Sequence, residues 1–309
     1  MTANDCLWLP EVTRGTYPTI NGQVMYKFGV EPLDLSFPLK IPFERQINTV
    51  SSTGSRTATF TAGPSFPENI PVSYLPTNGL PEFHMLGDSS SAAGVHTLTA
   101  LAVTTLKPSI TVYRQGQAAT EKRKAAGLVS KSLRVHHKIG DPLTTQEVYD
   151  GMTDAVTTDT PSTSPIFPTN IESIFDSKHT FTINGAAYEY EEIDWNWIEV
   201  LNSYGNNAGK RRGIIDNAPI ILTMVVNLKG DCTALRTLFD AGTGPTVVWK
   251  VIKSTAPTHY KQYSLAMYIA SMSDNFRLDD GTDRTVLTAV GSGTTVTTLD
   301  GVADAFYGD

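Results

Sequence analysis

The residues best placed to do chemistry are a run of acids, six histidines, two cysteines and two basic clusters. Glu189-Tyr190-Glu191-Glu192-Ile193-Asp194 crowds carboxylates beside aromatic rings, a composition that suits acid–base work or a cation. Strand alternation gives a plainer reading, with the acids on a solvated face and most of the rings of Tyr188, Tyr190, Trp195 and Trp197 on the core side. Were those rings exposed, they would suit a β-sandwich carbohydrate-binding or adhesin module. His136 and His137 are adjacent, and on a strand their rings point to opposite faces, so they do not share a metal. None of the histidines has a second histidine or an acid at a zinc-motif spacing. Asp279-Asp280-Gly281-Thr282-Asp283 lacks the alternating ligands and distal glutamate of a calcium loop and reads as a hairpin turn. Cys6 and Cys232 sit in no metal-type spacing and read as free or buried thiols. No GxSxG, phosphate loop or strand-borne GxGxxG is present. No catalytic residue, metal or cofactor is therefore expected. A hydrolase on a β scaffold stays open as an alternative, with Glu191, Glu192 and Asp194 as its candidates. Lys122-Arg123-Lys124 and Lys210-Arg211-Arg212 are assigned to loops, where they either pair with a neighbouring subunit or keep the loops soluble.

The elements that position these residues are mostly strands. Thr, Ser and Gly are abundant and Val, Tyr and Phe recur in short runs, which favours strands and turns. Hydrophobic residues make up 40% and charged residues 18% of 309, which indicates a folded chain with room for two cores. A net charge of -7 argues against gripping phosphates and is compatible with letting a polyanion pass. The start of the chain carries no signal-like apolar stretch, and the longest apolar run, near residues 219–226, is far too short to span a membrane as a helix. The chain is expected to be made in the cytoplasm and to be soluble there.

The chain also says one thing twice. Residues 129–151 and 269–291 each read as strand, polar turn and strand ending on Gly, the turns being Ile139-Gly140-Asp141 and Asp279-Asp280-Gly281. A short helix precedes each, at residues 80–87 and 233–240. In the second, Asp231 is the expected N-cap, Leu235, Leu238 and Phe239 the buried face, and Ala241-Gly242 the end. Asn184-Gly185 is a hairpin-turn signal. Proline-interrupted strands are expected over 26–43, a strand at 56–61 followed by a Pro-rich loop, and strands at 96–106 and 109–113. The expected organisation is an N-terminal arm (1–25) that orders against a neighbour, a first β domain (26–156), a linker (157–168), and a second β domain (169–309) with a polar tail from 294. Each half is antiparallel with one short helix, and its open edges need a partner.

Lys107-Pro108-Ser109-Ile110-Thr111-Val112-Tyr113-Arg114, followed by residues 126–135 with Gly127, Ser130 and Ser132, resembles the major tail tube proteins of long-tailed, siphovirus-like viruses. Pro165-Ile166-Phe167-Pro168 with Phe181-Thr182-Ile183-Asn184 is similar too, as is Arg212 ahead of the strand over 220–228. The resemblance covers about residues 75–292; Asn184-Gly185 departs from it by leading into an acidic aromatic stretch, and residues 26–75 match poorly. It implies two tandem β-sandwich or half-barrel tube domains. Three chains would then supply the six domains of a pseudo-hexameric ring, and rings would stack into a hollow tube that passes double-stranded DNA in the virion tail. Tape-measure, tail-terminator and baseplate proteins would be its partners. Under this resemblance Ser132, Arg134, His136, Asp141, Asp274, Arg277, Asp279 and Asp280 lie in inner-barrel hairpins. Asn202, Tyr204, Asn206, Lys210, Arg211 and Arg212, with Lys122, Arg123 and Lys124, make contacts between rings or subunits, as do residues 51–76.

Overall fold

Period-two alternation builds most of this molecule. In the strand Glu189–Ile198, Tyr190, Ile193, Trp195 and Trp197 are buried while Glu192, Asp194 and Asn196 are only partly covered, the pattern of a sheet with one face on the core. The computed structural model describes residues 6–28, 43–51, 58–76, 79–92, 94–115, 122–162, 178–205, 212–216, 218–230, 232–252, 258–276, 283–292 and 295–299. In chain order the first half contains β1 (Cys6–Pro10), β2 (Phe43–Ser51), β3 (Ala58–Pro67), β4 (Ile70–Tyr74), helix α1 (Leu80–Leu86), β5 (Gly87–Ala92), β6 (Val95–Ala100), β7 (Ile110–Gln115), β8 (Lys122–Lys138), β9 (Thr144–Asp150) and β10 (Thr153–Val156). The second contains β11 (Lys178–Ile183), β12 (Ala186–Ala187), β13 (Glu189–Ile198), β14 (Asn202–Gly205), β15 (Arg212–Ile215), β16 (Ile221–Lys229), helix α2 (Thr233–Asp240), β17 (Thr246–Ile252), β18 (Tyr260–Phe276), β19 (Asp283–Ser292) and β20 (Thr295–Leu299).

The protein is mainly β, with a curled antiparallel sheet of half-barrel form. Its main path runs β1-β7-β8-β13-β16-β19-β18-β17-β11-β12, with β4 on β9 and β6 on β20. The two halves thus share one sheet through β8 and β13, and one principal core contains residues of both.

Two 17-residue strands organise it. The proximal part of β8 pairs with β7 and β10, and its distal part with β9. The proximal part of β18 pairs with β17 and β20, and its distal part with β19. Both hairpins carry a bulge at a matching place: the register steps over Lys131 in β8 and Ala270 in β18. A bulge bends the strand and sharpens its twist, which lets one strand serve two differently directed ladders. The turn at Asn184 (φ 52°) and Gly185 (φ 82°) has both central residues left-handed, as a two-residue hairpin demands.

Several elements differ from expectation. Residues 6–28 pack on their own chain: β1 pairs with β7, and Leu7, Leu9, Ile20 and Met25 bury with Tyr113. Glu11 fastens this segment by accepting hydrogen bonds from the Ser109 and Thr111 hydroxyls and the Gly15 and Gly127 amides. Lys122, Arg123 and Lys124 begin β8 instead of forming a loop, because β7 offers them a ladder. The Pro-rich stretch forms β3 and β4; Pro71 is tolerated because, among the described residues, β4 has β9 on one edge only. The strand expected over 96–106 ends at Ala100. Asn202 and Arg212 open a hairpin, β14–β15, where one flexible loop was expected. Thr295–Leu299 is a strand where a polar tail was expected. Helix α2 is N-capped by Cys232 without a side-chain hydrogen bond; Leu235 is buried and Leu238 and Phe239 half-buried. Most of the expected strand at 26–43, the proposed cap Asp231, and site candidates Asn206, Lys210, Arg211, Arg277, Asp279 and Asp280 lie outside the described residues.

Candidate functional site

The region where charge, burial and sequence-distant contact coincide is the junction of the two halves. Its spine is the ladder of β8 with β13, from Ser132 opposite Ile198 to Lys138 opposite Glu192. Leu133, Val135 and His137 point inward and are fully buried, beside Ile193, Trp195 and Trp197. His137 Nδ1 lies 2.8 Å from the Tyr190 hydroxyl, which also accepts a hydrogen bond from Trp249 Nε1 at 2.9 Å. The other face carries Arg134, His136, Glu192 and Asp194. Arg134 Nε donates to Asp194 Oδ1 at 2.7 Å, and His136 Nδ1 lies 3.2 Å from the same oxygen and 3.8 Å from Glu192. Burial pushes the Asp194 carboxyl up, but the hydrogen bonds from His136 and Arg134 outweigh it and hold its pKa down at about 2.

Three buried ion pairs tie the halves together away from this face. Glu82 of α1 receives Lys261 Nζ at 2.8 and 2.9 Å and the Tyr263 hydroxyl at 2.8 Å, with Glu82 and Lys261 essentially inaccessible. Burial, reinforced by the Glu82 charge, pushes the Tyr263 phenol well up, so it stays a donor. Lys107 pairs with Glu199 and donates to the Ser130 carbonyl at 2.8 Å. Burial pulls the Lys107 ammonium down and pushes the Glu199 carboxyl up, each opposed by the charge of the other. Arg14 forms a two-pronged contact with Asp216 at 2.8 and 2.9 Å, and the Lys107 amide donates to Asp216 at 2.7 Å. Burial raises the Asp216 carboxyl, but the hydrogen bonds from Arg14 and Lys107 leave it lowered. Such groups tolerate burial only while paired.

His136, Glu192 and Asp194 bring three ligand atoms within 4.8 Å of one another, a cluster the sequence spacing hid because it forms across two strands. Arg134 already occupies the Asp194 oxygen nearest His136, so these residues form an ion-pair cluster and fit a cation poorly. An open cavity of about 700 Å³ lies at the end of the junction, walled by Lys138, His179, Glu189, Glu191, Glu192 and Lys229 among others. Glu191 is engaged by Arg284. Of the carboxylates offered for a hydrolase, Glu191 and Asp194 are thus held in cross-strand ion pairs, and Glu192 accepts from the Asn227 amide at 3.4 Å.

Of the other site residues, Ser132 and Arg134 lie on the distal part of β8 and Asp141 in the turn after it, exposed. Asp274 is in distal β18. Lys124 Nζ holds Asp159 at 2.8 Å, pulling that carboxyl down, and Lys122 donates to Thr160 at 2.7 Å; both serve the chain's own segment after β10. Arg123, exposed, lies 3.9 Å from Asp154. Asn202 opens β14, and Tyr204 and Arg212 are in the β14–β15 hairpin. Tyr190, Trp195 and Trp197, proposed for glycan contact, are completely buried. Glu82, Lys107, Glu199, Asp216 and Lys261 were not singled out, and only their rarity as buried charges marks them. No protein-family model matches the chain, and no curated protein matches it.

Proposed function

We propose that the chain is the structural subunit of a hollow tube of the kind built by major tail tube proteins of long-tailed viruses. The single observation that carries this reading is the edge-to-edge joint of β8 with β13. It makes one chain an arc of two similar strand sets, while distal β18 and β4 each have a strand on one edge only among the described residues. Each set is one of two tandem half-barrel tube domains, and three chains close a pseudo-hexameric ring whose edges satisfy one another. The sheet face carrying Arg134, His136 and Asp194 lines the channel, where mixed, internally neutralised charge and an acidic total let duplex DNA pass without sticking. Rings stack through the β14–β15 and β2–β3 hairpins. The place of action is the virion tail, with tape-measure, terminator and baseplate proteins at its ends.

Electron microscopy of the concentrated purified chain tests this. Rings or tubes with three chains per turn are expected. A monomer at every concentration overturns the tube, and rings of six chains overturn the tandem arrangement.

A further inference from the structure

Among the described residues two lysine–glutamate pairs are buried, and they meet differently. Lys261 Nζ donates to both Glu82 oxygens at 2.8 and 2.9 Å, and the Tyr263 hydroxyl donates to one of them. That is an ordinary ion pair, its carboxylate charge shared between two aligned acceptors. Lys107 Nζ instead lies 2.5 Å from Glu199 Oε2, with the two side chains only 4% and 2% exposed. Despite that distance, Glu199 Oε2 accepts no aligned hydrogen bond among the described residues. We propose that Lys107 and Glu199 condense into a side-chain amide, Nζ to Cδ, that covalently ties the first half of the chain to the second. The bond lies within one chain and stands apart from the tube reading.

The surroundings supply what this condensation needs. Lys107 Nζ donates to the Ser130 carbonyl at 2.8 Å and the Met85 carbonyl at 3.3 Å. In the neutral amine those carbonyls take both hydrogens, which leaves the lone pair for the carboxyl beside it. The Ala218 amide donates to the Glu199 carboxyl and can stabilise the oxygen that gains charge as nitrogen adds. Both backbones are pinned. The Lys107 amide donates to Asp216 at 2.7 Å and its carbonyl accepts from Arg14 at 2.5 Å, while the Glu199 amide donates to the Lys131 carbonyl at 2.9 Å. Reactants held this way behave as if at very high concentration. In water, hydration of the two ions opposes condensation, and burial removes that hydration. The same burial pulls the Lys107 ammonium down and pushes the Glu199 carboxyl up, toward the neutral pair that reacts.

The ammonium first passes one proton to the carboxylate. The amine nitrogen then adds to Cδ. One C–O bond breaks, and that oxygen leaves as water with the acid's proton and one from nitrogen. Nothing is oxidised or reduced, and two charges vanish from the core. The remaining N–H keeps its carbonyl partner. A cavity of about 200 Å³, walled by Lys107, Glu199 and Asp216 with Leu101, Val103 and Ile220, gives the water a place to go.

Intact-mass spectrometry of the full-length chain under denaturing conditions tests this. Wild-type protein should weigh about 18 Da less than its sequence, the loss of one water. Tandem spectrometry should place a branch between residues 107 and 199. Lys107→Arg keeps the positive charge, but a guanidinium that stays protonated does not attack a carboxyl, so the deficit should disappear. The mass is read on unfolded chain, so a variant that folds poorly still reports. A wild-type chain at its full sequence mass overturns the proposal, as does a deficit that Lys107→Arg retains or a branch that maps elsewhere.

Discussion

The two hairpins that share a framework fill their cores differently. On β9, Glu147 stands between Val72 and Leu133; on β19, Leu287 stands between Val226 and Met272. In the first half the Tyr74 hydroxyl donates to Glu147, His84 Nδ1 lies 2.9 Å from the Tyr149 hydroxyl, and Glu147 is 3.6 Å from His84, all buried. Burial, with the Glu147 charge, pushes the Tyr74 phenol well up and keeps it a donor. In the second half the corresponding strands bury Leu228, Leu287 and Ala289 beneath a stack of Trp195, Trp249 and Tyr263, with centroids 4.9 to 6.0 Å apart. The ladder tolerates either filling, because strand register is set by alternation and turns, while the core needs only closed volume and satisfied polar atoms.

The largest expected effects lie where the halves meet. Glu82→Ala strands Lys261 and the Tyr263 hydroxyl in the core and should cost about 3–5 kcal/mol in urea unfolding. Glu82→Leu with Lys261→Met should recover most of that loss; no recovery would mean the pair specifies the junction and not only its own neutrality. Trp249→Ala opens the aromatic stack and should also cost about 3–5 kcal/mol. Glu147→Ala should cost less, about 1–3 kcal/mol, by leaving the buried Tyr74 hydroxyl unpaired. Adding Tyr74→Leu to Glu147→Leu copies the second half and should regain stability, and equal losses from single and double changes would break the comparison.

Acid titration gives a smaller effect. The Asp194 pKa is depressed to about 2, so its contribution is fully present above the unfolded carboxylate range near pH ~4. It is lost as pH falls through 2. Asp194→Asn should flatten that acid limb without changing stability's slope from pH ~5 to 6, outside the carboxylate range. Smallest of all, Arg123→Ala removes an exposed 3.9 Å pair with Asp154 and should change unfolding by less than about 0.5 kcal/mol.

Local features were legible beforehand. Helix α1 ends where Gly87 takes a left-handed conformation, φ 94°, and a glycine there is readable from sequence. The inward and outward residues of β13, the opposed rings of His136 and His137, and the Asn184-Gly185 turn follow from alternation and turn chemistry. The basic start of β8 was not legible, since charge alone reads as a loop until β7 supplies a ladder. Nor was the docking of residues 6–28, which depends on Glu11 meeting four donors from β7, β8 and nearby turns.

By itself the sequence determined a mainly β chain, its two helices and its two repeated hairpins, because each follows from residues a few positions apart. The tertiary structure alone decided that β13 lies on β8, and that Glu82 meets Lys261 across 179 positions and Arg14 meets Asp216 across 202. Contacts of that separation are chosen by which edges and buried charges find complements once the whole chain has closed, and no local period encodes the choice.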